Sequence, residues 1–224
     1  MNYNIEIICN SLLCLGALAG FLYSLIKFFK PKKALYKKMV GCALGCLFME
    51  RLYEIVQYVI VGDLPQTFQI GTFGNIGCYL FLLSANYGAI DSLIDDKSAG
   101  LKKYRLAALA APLAAAAAAV TILLSPSDPG RKITCAIELL FVGASAYYSL
   151  KHLIIPKEYS DFLSSMRPFH AISLLLAAGT IIEDTIWCYQ VNVQAVWYIP
   201  YAILLFSMLA LAPALERGTK QWLT

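Results

Sequence analysis

The sequence predicts an all-α integral membrane protein with seven transmembrane helices in a 3+1+3 parallel repeat. Three observations carry this prediction. The chain is 59% hydrophobic with a mean hydropathy of +0.65. Only 14% of its 224 residues are Asp, Glu, Lys or Arg, against roughly 25% in an ordinary soluble domain. The charges fall in short clusters between apolar runs about 20 residues long, the length that crosses a bilayer as a helix. Seven such runs lie near 6–29, 39–62, 67–90, 105–125, 132–154, 169–191 and 194–215. They make residues 1–224 a single membrane domain, with repeat one at 1–95, a linker helix at 105–125 and repeat two at 131–217.

The first run begins "MNYNIEIICN" and has no Lys or Arg before Lys27. A cleavable signal needs a basic start, so this helix is expected to persist. Lys27, Lys30, Lys32, Lys33, Lys37 and Lys38 then crowd the first loop. The second run interrupts its apolar face with Glu50, Arg51, Glu54 and Gln57. The third carries Thr72, Asn75 and Tyr79 at helical spacing and ends in "DSLIDDKS", Asp91 to Ser98, which reads as a solvated helix end. The PQ dipeptide at Leu64 to Gln66 lies in the second loop and carries no weight. The fourth run, "LAALAAPLAAAAAAVTILL", has small side chains and no ionisable group, so it is expected to pack or face lipid without taking part in chemistry. The fifth holds Glu138 and ends near His152, followed by "KEYSDFLSSM", which reads as an interfacial segment. The sixth aligns Thr180, Glu183, Trp187 and Gln190, with Asp184 beside Glu183. The seventh offers Gln194, Trp197, Tyr198 and Tyr201 at its start. It has no Lys between Gln194 and Glu216, which excludes a retinal Schiff base.

Basic residues set the expected orientation. Beyond the first loop they gather in the third (Lys97, Lys102, Lys103, Arg105), the fifth (Lys151, Lys157, Arg167) and the tail (Arg217, Lys220), whereas the alternate loops hold only Arg131 and Lys132. The positive-inside rule then places the protein in the cell membrane as a multi-pass chain, N-terminus outside and C-terminus cytoplasmic. The net charge of +4 is accordingly assigned to anionic lipid headgroups, with no nucleic-acid partner expected. Cys9, Cys14, Cys42, Cys46, Cys78, Cys135 and Cys188 form no CxxC pair. His152 and His170 lack the spacing of a metal pair. No metal or other cofactor is expected.

The chain also resembles itself. Tyr23-Ser-Leu-x5-Pro31-Lys32 recurs as Tyr148-Ser-Leu-x5-Pro156-Lys157, and Glu50-x6-Gln57 as Glu183-x6-Gln190. Parallel triplets need an odd linker, the part the fourth run plays. In helix order the chain resembles the three-plus-one-plus-three arrangement of SWEET-type sugar transporters and PnuC-type vitamin permeases. That resemblance implies a solute site between the triplets.

Ionisable groups at bilayer depth face a cavity or a partner by default. Glu54, Glu138, Glu183 and Asp184 all fall about six to eight residues from the outer end of their spans, roughly 10 Å deep, with Glu50 one turn deeper. The expected ligand site comprises Glu50, Arg51, Glu54, Gln57, Asn75, Tyr79, Glu138, Glu183, Asp184, Trp187, Gln190, Trp197 and Tyr201. Its acids and aromatics suit a small cationic or polar solute. A transporter or permease is the first expectation. A sensor or receptor with a cytoplasmic partner is the second, and a lipid-modifying membrane enzyme the third, with no catalytic residue visible. Homo-oligomerisation stays open.

Overall fold

The computed structural model describes residues 3–62, 69–91, 95, 99–156, 159, 161–191 and 193–223. The PQ dipeptide, Lys97 and Lys157 lie outside them. The described residues are helical almost throughout. The helices are α1 (Tyr3–Phe28), α2 (Leu35–Val61), α3 (Thr72–Ala85, continued by a π-helix Asn86–Asp91), α4 (Lys102–Ala108), α5 (Ala110–Leu123), α6 (Pro129–Ile154), α7 (Asp161–Cys188) and α8 (Gln194–Leu223).

Among the described residues, five stretches are long and apolar enough to cross a membrane: Glu6–Phe28, Lys102–Leu123, Pro129–Ile154, Asp161–Cys188 and Ala195–Lys220. This fits an integral membrane protein. The α2 helix has 27 residues but carries Glu50, Arg51 and Glu54 in its middle. The third expected run is divided into 14 α-helical and six π-helical residues.

Local chemistry explains several boundaries. Gly62 ends α2 at φ 85°, donating its N–H to Tyr58 O, a conformation glycine adopts without steric cost. Asp128 caps α6, accepting from Gly130 N at 2.8 Å, with Pro129 in the first turn where no N–H is needed. The run expected as one linker helix is broken at Leu109. Pro112 offers no N–H to the Ala108 carbonyl four residues back, so the ladder slips there.

Six helices form a ring in the order α1, α2, α3, α6, α7, α8, closed by the contact of α8 with α1, while α5 packs outside it against α6 and α7. The core runs along the ring axis through Leu13, Leu44, Leu82, Leu139, Phe169 and Leu211, each at most 1% exposed. Many apolar side chains point outward, such as Ile26, Val59, Leu124 and Ile199, as expected where lipid replaces water. The expected solvated end of the third run is different from its description in sequence. Asp91 and Asp95 are held in ion pairs with Lys151, which is 2% exposed.

Candidate functional site

At one end of the ring lie the N-terminal parts of α1, α3, α6 and α8 and the C-terminal parts of α2 and α7. They form a half-open cavity of ≈40 Å³ lined by Glu6, Asn10, Glu50, Arg51, Glu54, Gln69, Thr72, Asn75, Glu138, Glu183, Asp184, Trp187, Trp197 and Tyr201. Glu50 and Glu54 reach it because they stand one turn apart on α2, and Arg51 joins them because the cavity face is wide enough to include i+1.

Arg51 is 2% exposed and ties three helices. It donates to Glu183 through two nitrogens, at 2.9 and 2.6 Å, to Glu54 at 3.0 Å and to Asn10 at 3.4 Å. The two-point contact with Glu183 is the strong form of a guanidinium–carboxylate pair. Glu54 also accepts from Gln69 at 2.8 Å, and Glu50 accepts from Asn75 at 2.6 Å. Tyr58 donates to Glu6. Trp197 and Tyr201 stack 6.1 Å apart. Trp187 has the Arg131 guanidinium 3.9 Å from its ring centre.

The acids divide into two kinds. Glu54 and Glu183 are satisfied by Arg51. By contrast Glu50 Oε2, Glu138 Oε1 and Asp184 Oδ2 are buried with no hydrogen-bond partner among the described residues. Among the described residues, six carboxyl groups line the cavity against one guanidinium. No group of three or more His, Cys, Asp or Glu side chains among the described residues is arranged to hold a metal ion.

Of the residues expected at the site, ten line the cavity: Glu50, Arg51, Glu54, Asn75, Glu138, Glu183, Asp184, Trp187, Trp197 and Tyr201. Tyr79 lies below it, its hydroxyl 2.7 Å from Thr180 Oγ1. Gln57 is half-buried on α2 beyond the cavity, and Gln190 is exposed past the end of α7 at φ 51°. Glu6, Asn10, Gln69 and Thr72 line the cavity outside the expected set. The first two stand at i and i+4 in an otherwise apolar run, and Gln69 extends the Thr72, Asn75 series by one step of three. Both signals were present in the sequence.

Family models, curated proteins and solved structures give no match to this chain.

Proposed function

We propose that the protein is a seven-span transporter or permease that takes a small cationic solute into the acidic cavity, with its two triplets, α1 to α3 and α6 to α8, arranged around it as a 3+1+3 repeat. The observation that carries the reading is the trio of orphaned carboxylate oxygens on Glu50, Glu138 and Asp184, which come from α2, α6 and α7. A buried carboxylate without a partner is costly, and a cation supplies the missing donors. Size selects among cations and polar solutes. A space of ≈40 Å³ admits an ammonium or guanidinium group or a few waters, whereas a whole sugar or vitamin ring needs the several hundred Å³ typical of such pockets.

The order of helices around the ring supports the repeat. The pairs α3 with α6 and α8 with α1 exchange under a half turn that carries one triplet onto the other. The repeated tyrosines follow the same rule. Tyr23 on α1 donates to Glu216 at the end of α8, and Tyr148 on α6 packs 5.6 Å from Tyr87 at the end of α3. Sites between repeats are a transporter habit.

The test is a thermal-shift screen of the purified protein with guanidinium, quaternary amines, polyamines and sugars. Wild type should be stabilised by a cation, by about 2.7 kcal/mol at a concentration 100 times its Kd. Glu138→Gln, which removes an unpartnered charge without removing volume, should stay folded and lose that response. If no cation stabilises wild type, or the mutant responds equally, the reading fails.

A further inference from the structure

Below the cavity, a line of buried polar groups continues through the interface of α3, α6 and α7. On α6, Glu138, Ser145, Ser149 and His152 share one face, at i, i+7, i+11 and i+14. Each is at most 2% exposed. The two-turn gap between Glu138 and Ser145 is flanked by the Tyr79–Thr180 hydroxyl pair of α3 and α7. One step further, Asn86 of the π-helix reaches Ser149 at 3.5 Å, and Ser173 of α7 is buried beside the same level. The line then meets two imidazoles. His152 and His170 are both 0% exposed, with ring centres 4.7 Å apart. The whole run covers 14 residues of α6, about 21 Å at 1.5 Å per residue.

The far end of the line is shut by charge. His152 Nε2 is 3.0 Å from Asp91 Oδ1. Lys151 pairs with Asp91 and, at 3.1 Å, with Asp95, and Asp95 accepts from Arg105 Nε at 2.8 Å. The groups facing the imidazoles are thus Asp91 from the end of α3, Asp95 from the following loop, Lys151 and Tyr148 from α6, and Phe169 from α7. Beyond these, His152 Nδ1 and both ring nitrogens of His170 have no hydrogen-bond partner among the described residues.

Packing alone does not require this arrangement. A buried serine hydroxyl can be satisfied on its own helix, as Ser173 is by donating to Phe169 O. An imidazole with two unsatisfied nitrogens loses stability instead. Hydroxyls and imidazoles both accept and donate, so a proton can pass along them, and one water can span a gap of about one helical turn. Intramembrane polar chains of this kind mark ion and proton paths.

We propose that the line from Glu138 to His152 and His170 is a proton route across the bundle, closed at the basic end by the ion pairs of Lys151. The inference rests on the cavity being the solute site, because proton and cation then compete for the same carboxylates and their movements are linked. A proton taken by Glu138 or its neighbours from the cavity passes to the imidazole pair, which holds a single extra proton because two charged rings at that separation repel. Release requires Lys151 to leave Asp91.

The experiment uses liposomes containing the full chain, internal pyranine and an imposed potassium diffusion potential with valinomycin. Wild type should acidify at the rate of empty vesicles. Lys151→Met and, as a second opening of the same end, Asp95→Asn should acidify at least severalfold faster. Adding Thr180→Val with Ser149→Ala should return that rate to the control. The route is overturned if both opened variants, monodisperse and helical, stay as tight as empty vesicles, or if they leak equally after the line is interrupted. The gate is overturned if wild type leaks as fast as Lys151→Met. Since the chain has two histidines, histidine-selective ¹⁵N labelling in nanodiscs gives a further check. Both rings should exchange between tautomers in the opened variants as protons pass, and two rings each fixed in a single tautomer there would reject the proposal. Cation binding in the thermal-shift screen is independent of all these readouts, so either idea can fail alone.

Discussion

Arg51 makes the cavity's charges interdependent. Its four hydrogen bonds reach Asn10 of α1, Glu54 of its own helix and Glu183 of α7, so three parts of the ring share one cation. Removing one member of a buried pair leaves the other charge without compensation, typically a loss of about 3–5 kcal/mol. Glu183→Gln and Arg51→Gln should each lower the melting temperature of the extracted protein, and the double mutant should recover part of the sum, since neither charge is then left alone. Strictly additive losses would show that the pair is not coupled. At this scale much of the site was legible: ionisable residues at equal depth on separate spans were enough to bring together Glu50, Glu54, Glu138, Glu183 and Asp184. What was not legible was which acids Arg51 satisfies. That depends on rotation of α2 and α7 about their axes, which spacing along one helix does not determine. The pairing of His152 with His170 was hidden for the same reason, because it arises between antiparallel helices.

Element packing sets the position of Glu50. The α2 and α3 helices meet closely at Gly74, where an added Cβ would lie 2.6 Å from Glu50 Cβ and 2.8 Å from the Cys46 carbonyl oxygen. Backbone and the stem of a cavity residue cannot give way as a flexible side-chain tip can. Gly74→Ala should therefore separate the helices and weaken the Asn75 contact to Glu50, with a loss of about 1–3 kcal/mol, the usual range for overpacking. At Gly88, in the π-helix, an added Cβ would meet nothing within 4 Å. Gly88→Ala is the control and should be neutral. Chemical denaturation of the two variants in the same detergent checks the contrast, and equal losses would mean that close approach at Gly74 is unimportant. Helix positions were largely readable from apolar runs, but two details were not. The break at Leu109 follows from Pro112, which the small-residue pattern masked. The π-helix at Asn86 to Asp91 has no period of its own in the sequence, since one inserted residue per turn leaves the apolar content unchanged.

Polarity along the ring axis governs how the whole molecule would work. The cavity lies at the end that also holds the α5–α6 connection, where Tyr189 donates to Thr121 O at 3.1 Å. Lys27, Lys151, Arg105 and Lys220 lie at the opposite end, with the ion pairs that close the polar line. Charge asymmetry of this kind orients membrane chains, and it was the most legible property of the sequence because it needs no knowledge of packing. The orientation predicts where the cavity opens. Pro126, exposed in the α5–α6 connection, and Lys32, exposed between α1 and α2, are suitable probes, whereas Ser127 is buried and donates to Cys188 O. Pro126→Cys should react with a membrane-impermeant maleimide in intact cells, and Lys32→Cys only after permeabilisation. Background from the native thiols should be low, as four of the seven are buried and the others half-buried. The reverse pattern would turn the molecule over. The acidic cavity would then face the cytoplasm, the Lys151 ion pairs would close the outer end, and a cation would be collected for export.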